Sequence, residues 1–452
     1  MPATQSAVSA SAPAENPPNT FFSGIADRGT LLGDMSGLRP FLSKYGLSLS
    51  VSEVSEVFGN VTGGIHQGAD YDGVTTLALQ VDTQQANLYQ GGTFNVSALQ
   101  IHGRNLSTDN LLSLQTASGD EGDRSTRLWE LWYQQKFFGD DLLDVKVGQQ
   151  SLDQEFIVSQ NAAIFANTMF GWPVLPTYDL PGGGPAYPLS SLGVRARLQA
   201  TGAITFLTGV FSGTPARGNR GDPQMNNATG TQFPLGTGPL IITELQYTNS
   251  SPDAAATPDS GPLPGVYKLG FWYDWQEAPP HQIDQEGLPL AGPLSGPPTN
   301  DPTYAFYASV DQMAWRSAAD PSRTVSVFLR AMGTPQQAGN LISIAVNGGL
   351  TVRAPFPARP NDTFGVGFGY ARASNGAREA DQDLNRSGNA FPVRSDETCL
   401  EATYQYQVTP WCVLQPDFQY VFNPGASVFN PRTVNSSVKN EAVIGFRATI
   451  VF

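Results

Sequence analysis

From Leu47 onward the chain alternates. Leu47, Leu49 and Val51 are interleaved with Ser48, Ser50 and Ser52, and Leu77, Leu79 and Val81 with Thr76, Ala78, Gln80 and Asp82. Val194, Ala196 and Leu198 alternate with Arg195, Arg197 and Gln199; Phe364, Val366, Phe368 and Tyr370 alternate with glycines; Ala402, Tyr404, Tyr406 and Val408 alternate with Glu401, Thr403, Gln405 and Gln407. A period of two with one apolar and one polar row marks a strand whose two faces meet different media. The pattern predicts about sixteen strands, at 45–57, 73–82, 93–103, 124–137, 142–150, 191–200, 203–213, 239–248, 264–277, 302–316, 324–334, 340–352, 363–373, 396–408, 411–423 and 438–452. In the last of these Ile444, Phe446, Ala448, Ile450 and Phe452 form an apolar row, opposed by a row that carries Arg447.

The connections also alternate. Gly139-Asp140-Asp141, Thr201-Gly202 and Thr409-Pro410 are tight, whereas 151–190, 214–238, 278–301, 374–395 and 424–437 are long. Short turns on one side and long loops on the other are the habit of outer-membrane barrels, and an even strand count leaves both termini in the periplasm. Closure into one antiparallel transmembrane β-barrel over 45–452 would use the whole chain without an exposed sheet edge. Residues 1–44 read as a flexible periplasmic tail, low in complexity over the first twenty residues. A short helical segment falls within Leu31–Tyr45, interrupted at Pro40.

Composition narrows the partners. In 452 residues there are 47 glycines and 35 prolines, and aromatics reach 10%, a mixture suited to many strands and turns. The net charge of −14 and the absence of a basic cluster argue against nucleic acid. No apolar run is long enough for a transmembrane helix, which leaves a strand-built membrane protein open. The opening MPATQSAVSASAPAENPPNT has neither a basic start nor an apolar core, so a mature N-terminus is expected, its export signal already removed. Two cysteines and three histidines occur without CxxC or HxxxH spacing, so neither metal nor cofactor is expected. With Val408 facing Trp411 and Cys399 facing Tyr420 across the Thr409-Pro410 turn, Cys412 would lie about 26 Å along the strand from Cys399's partner, far beyond disulfide reach, so two separate thiols are expected.

Several blocks, in this order, resemble the carbohydrate-selective (OprB-like) porin family: Arg127-LWELWYQQKFF, Val147-GQQSLDQEF, Phe170-GWPVLP, Gly183-GPAYPLSSLGVRAR, Leu263-PGVYKLGFWY and Glu401-ATYQYQVTPWCVLQPDFQYVFNPG. The likeness runs from about Phe22 to Phe452. It implies a sixteen-stranded monomeric barrel in the bacterial outer membrane that passes monosaccharides and polyols by diffusion. Departures from the family pattern are the Pro-rich acidic stretch Ser251–Gly265 and the long N-terminal tail. A terminal Phe452 after alternating apolar residues resembles the signal read by the barrel-assembly machinery.

A sugar-selective pore needs a narrow point, polar groups for hydroxyls and a flat apolar face for the ring. The forty-residue connection 151–190, aromatic and rich in Pro and Gly, is the expected constriction loop. Trp172 or Tyr178 would offer a stacking surface, or else pack the loop on the wall. Parity sends Leu131, Tyr133, Val145 and Val147 to lipid and Glu130, Trp132, Gln134, Lys146, Arg195 and Arg197 to the lumen. Asp153 and Glu155 at the loop's start would complement the arginines or pin the loop by an ion pair. Lumen positions tolerate change, so Arg195→Ala and Glu130→Ala are expected to alter conduction with little loss of folding.

No GxSxG and no phosphate-loop context occurs, and an Asp153/Glu155 pair is too common a spacing to argue for glycoside hydrolysis, so no catalysis is expected. Two alternatives remain at this point: a soluble secreted all-β carbohydrate-binding protein, and a barrel with an adhesive or scaffold role.

Overall fold

The computed structural model describes residues 24–452 apart from 140–141, 218–220, 250–261, 276–301, 338, 387–391 and 434–435. Expectations for residues 1–20 and for most of 251–265 and 278–301 therefore lie outside the described residues.

Sixteen strands form: β1 (Leu47–Gly64), β2 (Gly68–Asp82), β3 (Gly92–Gly103), β4 (Ser125–Phe137), β5 (Leu143–Gln150), β6 (Ser191–Gln199), β7 (Ile204–Ser212) and β8 (Pro239–Thr248). They continue as β9 (Gly265–Asp274), β10 (Thr303–Arg316), β11 (Thr324–Gly333), β12 (Ile342–Arg353), β13 (Thr363–Ala373), β14 (Asp396–Thr409), β15 (Cys412–Phe422) and β16 (Lys439–Val451). Each pairs antiparallel with its sequence neighbours, and β16 returns to β1 to close the barrel. Short turns such as 410–411 and 200–203 lie at the periplasmic end, and the long connections 104–124, 151–190 and 213–238 lie at the other.

Which row faces outward is decided by exposure. Val194 and Leu198 are 46% and 39% exposed, while Arg195 between them is 3% exposed. On the closing pair Val57 and Phe446 are opposite and exposed, and Glu56 opposite Arg447 is buried. Apolar side chains on the outside and charge within is the order a bilayer imposes. The packed core lies inside the barrel, where Trp172, Leu175 and Leu180 of the long loop meet Leu207, Phe211, Trp272 and Met332 of the wall. Phe446→Arg should therefore impair insertion and lower stability by roughly 2–4 kcal/mol if the position is near the bilayer midplane, measured by denaturant unfolding in lipid vesicles.

Three details correct the sequence reading. The first hairpin is longer than 45–57 and 73–82, because β1 reaches Gly64 and β2 begins at Gly68. Gly59, Gly63, Gly64 and Gly68 fall between the two expected strands because glycine has low strand propensity, but pairing with β16 and between the two strands overrides it. The β14–β15 turn is Pro410-Trp411, so Thr409 opposes Cys412 and Cys399 opposes Val421, one residue from the expected register. An irregularity between Gln407 and Thr409 absorbs the difference; both cysteines are free thiols. The short helix is Leu38–Ser43, and Pro40 lies within its first turn, where a missing N–H breaks no helical bond.

Candidate functional site

The loop 151–190 leaves β5, turns into the lumen and returns to β6. Its carbonyls and amides are held by charges spaced around the wall. Arg330 of β11, 1% exposed, donates to the carbonyls of Ile157 (2.8 Å), Met169 (2.8 Å), Phe170 (2.7 Å) and Gly171 (3.0 Å), and its Nε to Asn347 Oδ1 (2.9 Å). Asp311 accepts from Ser159 Oγ (2.6 Å) and from the amide (3.1 Å) and side chain (3.0 Å) of Asn161. Glu401 accepts from the amides of Ala166 (2.6 Å) and Asn167 (3.1 Å). Glu244 accepts from Ile157 N (3.0 Å) and the Tyr307 hydroxyl (2.9 Å), with Lys268 Nζ 3.6 Å away and itself donating to Val158 O (2.7 Å). Between these anchors the inward glycines of β13 leave room: a Cβ at Gly365, Gly367 or Gly369 would overlap Ile164, Phe170 or Met169. The glycine alternation of this strand is thus the bed on which the loop lies.

At the root of the loop β4, β5 and β6 bring together six charged residues. Arg195 lies between Asp144, with which it pairs, and Glu155, to which its Nη2 donates at 3.1 Å. Lys146 pairs with the same Glu155 and sits 4.4 Å above the centre of the Trp132 ring. Arg197 Nη1 is 3.7 Å from Asp144 and its Nη2 donates to Gln199 at 2.8 Å; its side chain remains 37% exposed. Glu130 accepts from Ser151 N (3.1 Å) and from Trp132 Nε1 (3.2 Å). A bulge opposite Ser97 and Ala98 turns both Trp129 and Glu130 inward, and Leu131 outward regains the alternation. Gln134 opposes Lys146 one step toward the periplasm and is half-buried. Three acids (Glu130, Asp144, Glu155) and three bases (Lys146, Arg195, Arg197) give this cluster a formal balance of zero.

The structure separates the other expected residues from this group. Trp172 is 4% exposed and its Nε1 donates to Gly183 O at 2.9 Å, so its ring faces protein and stiffens the loop; it is no stacking surface. Tyr178, on the loop helix Val174–Asp179, packs against the same core; burial pushes its phenol up from the ordinary tyrosine value. Asp153 accepts from Ser151 Oγ (2.5 Å) and Tyr187 N (3.3 Å) and does not meet the arginines. Burial raises its carboxyl above the usual range, against those hydrogen bonds. Asp153 pins the loop; Glu155 is the acid that complements Arg195.

A second inward loop, 104–124, was not singled out by the sequence. Arg447 of β16 donates to Glu56 (2.7 Å) and Ser118 Oγ (2.9 Å) and pairs with Asp120 (2.9 Å). Gly119 N bonds Ala166 O (2.8 Å), which ties this loop to the constriction loop. Its length was the available signal, since connections beyond about 12–15 residues are commonly functional. Among the described residues no group of three or more His, Cys, Asp or Glu side chains is placed to hold a metal ion.

A closed sixteen-stranded antiparallel barrel with an apolar exterior, a loop folded into its lumen and charged groups at the loop's root defines a membrane porin. The sequence profile described as "Carbohydrate-selective porin, OprB family" matches residues 66–452, and the chain belongs to that family. It is 23% identical to Porin B of Pseudomonas aeruginosa over 444 residues, covering 93% of this chain and 91% of that one. It is likewise 23% identical over 430 residues to a protein named putative porin QuiX of Acinetobacter baylyi, covering 90% of each. The high-pH structure of Pseudomonas putida OprB superposes with a TM-score of 0.78 at 24% identity, covering 94% of this chain and 99% of that one, which establishes the fold. The chain is an outer-membrane carbohydrate porin, a channel rather than an enzyme.

Proposed function

We propose that the channel passes monosaccharides and polyols, glucose among them, by passive diffusion past the group Trp132, Lys146, Glu155, Arg195 and Arg197. The observation that carries this reading is the formal neutrality of a densely charged cluster beside the part-buried indole of Trp132. Fixed donors and acceptors of both signs can replace a sugar's hydration waters, and the flat ring offers an apolar face for the pyranose. A balanced cluster exerts no long-range pull on ions of either sign, so it gives charged solutes no advantage over neutral ones, and several weak contacts permit release as readily as entry. Gln134 and Gln199 extend the polar surface toward the periplasm. Arg195 and Glu155 set the field across the site, while Trp172, Tyr178 and Asp153 serve by holding the loop.

Liposome swelling across matched solutes tests this. Proteoliposomes should swell fastest with pentoses, hexoses and polyols, more slowly with disaccharides, and more slowly with sugar acids or amino sugars than with neutral sugars of equal size. Equal rates for charged and neutral hexoses would remove the selectivity, and the absence of both swelling and step-like conductance would remove the channel in favour of a scaffold or adhesive role.

A further inference from the structure

The strands do not all reach the same level on the periplasmic side. β1 begins at Leu47, but the amide of Phe452 bonds the carbonyl of Val51, so β16 stops four residues (51 − 47) short of it. At about 3.3 Å per residue, roughly 13 Å of β1 edge has no strand beside it. Residues 25–45 fill that step. Trp411 Nε1 donates to Ile25 O (2.6 Å), and Leu31 N bonds Val451 O (2.8 Å). Arg39, in the helix Leu38–Ser43, donates to Phe452 O, to Gly33 O and to Thr30 Oγ1 (2.6 Å). The helix packs against β1. The last two carbonyls of the closing strand are thus covered by this segment.

One face of the segment is thereby spent on the barrel, and the other is not. Leu38 and Phe41, one turn apart, and Tyr45 just beyond the helix end are 42%, 54% and 57% exposed. The rings of Phe41 and Tyr45 meet edge-on with centroids 5.3 Å apart, and Lys44 beside them is exposed. The place of this patch points to what covers it. Toward the periplasmic rim other strands carry exposed outward aromatics: Phe94 on β3, Phe137 on β4, Tyr247 on β8, Trp315 on β10 and Tyr406 on β14. Such a girdle marks the boundary of the bilayer. β1 and β2 contribute no ring to it, since their outward residues there are Leu47, Leu49, Val51, Leu79 and Val81. The gap in the girdle and the step in the wall coincide, and the segment that fills the step bears two rings.

We infer that Leu38, Phe41 and Tyr45, with Lys44, form an interfacial anchor that beds segment 31–45 in the phospholipid headgroup layer of the periplasmic leaflet. The apolar side chains enter the boundary between headgroups and acyl chains, and Lys44 lays its stem along them to bring its ammonium to a phosphate. Three apolar side chains are far fewer than a stable protein interface uses. A lipid surface needs no such area, because the patch only extends a contact that the wall of the barrel already makes. Held on one face by lipid and on the other by Phe452, the segment keeps water from the periplasmic end of the β1–β16 seam.

The test is the depth of a nitroxide attached to Phe41→Cys, in the full chain reconstituted into vesicles of phosphatidylethanolamine and phosphatidylglycerol. The chain carries Cys412→Ser, and Cys399, 1% exposed, is out of the label's reach. Collisions with oxygen should exceed those with a water-soluble nickel chelate, by about the same ratio as for a label on Phe94→Cys in the girdle. A label on Asp34→Cys, exposed on the same segment, should favour the chelate. Leu38→Cys and Tyr45→Cys repeat the measurement and decide the matter if the position-41 variant fails to insert, as judged by its heat-dependent gel shift. Chelate collisions at these positions equal to those at Asp34 would put the face in water and overturn the inference. Spin–spin broadening between labels would overturn it in favour of a second copy, and shielding from both oxygen and chelate in favour of another protein.

Discussion

Arg330→Ala should open the channel. The variant is expected to show larger single-channel conductance and to admit disaccharides that the wild type retards, with swelling rates that no longer fall between hexose and disaccharide. Arg330 supplies the donors for four carbonyls spread over Ile157 to Gly171 and is almost wholly enclosed. Each carbonyl left dry and unpaired costs about 1–3 kcal/mol. The loop can avoid that cost only by lifting from the wall so that water reaches it, and lifting widens the lumen. Arg330→Lys is a useful control: an ammonium keeps the charge but cannot span four carbonyls with a planar fork, so it should fall between the two. Unchanged conductance and an unchanged size limit in Arg330→Ala would mean that Asp311, Glu401 and Glu244 hold the loop without it.

The barrel was legible because its signal is local. Alternate residues report their medium directly, so Arg195 and Arg447 inside and Leu131 and Phe446 outside follow from period alone. Boundaries held wherever β-branched and aromatic residues fill a strand and failed in the glycine-rich top of the first hairpin. There membership is imposed by the neighbouring strands and not by propensity. The β14–β15 register slipped by one because a proline two-residue turn and a bulge are nearly indistinguishable in sequence. The site was legible only in part. Parity found Glu130, Trp132, Arg195 and Arg197, but parity does not apply to a loop. Whether Trp172 faces water or wall depends on residues far along the chain, the Gly365–Gly369 bed and Arg330, with which it shares no local pattern. Arg330 itself, in SVFLRAMG, looks like any other lumen position; its importance lies in partners about 160 residues away.

The same nonlocal contacts change what Arg195→Ala should do. On parity alone the side chain is a tolerant lumen position, yet it is buried between Asp144 and Glu155. Its removal leaves Glu130, Asp144 and Glu155 against Lys146 and Arg197, so the formal balance moves from zero to minus one at the root of the inward loop. In a site shielded from bulk water an excess carboxylate is felt strongly: Lys146 still pairs with Glu155, but Asp144 keeps only its longer 3.7 Å contact with Arg197. The zero-current potential in a salt gradient should therefore shift toward cation selectivity, conductance to small cations should rise, and the block of ion current by added glucose should change as Glu155 loses the guanidinium that holds it in place. Thermal stability should also fall, because buried Asp144 loses its nearest partner. Glu155→Gln makes the opposite test, moving the balance to plus one and shifting the potential toward anions while Arg195 keeps Asp144. Shifts of the same sign in both variants, or none in either, would show that these charges do not line the conducting path.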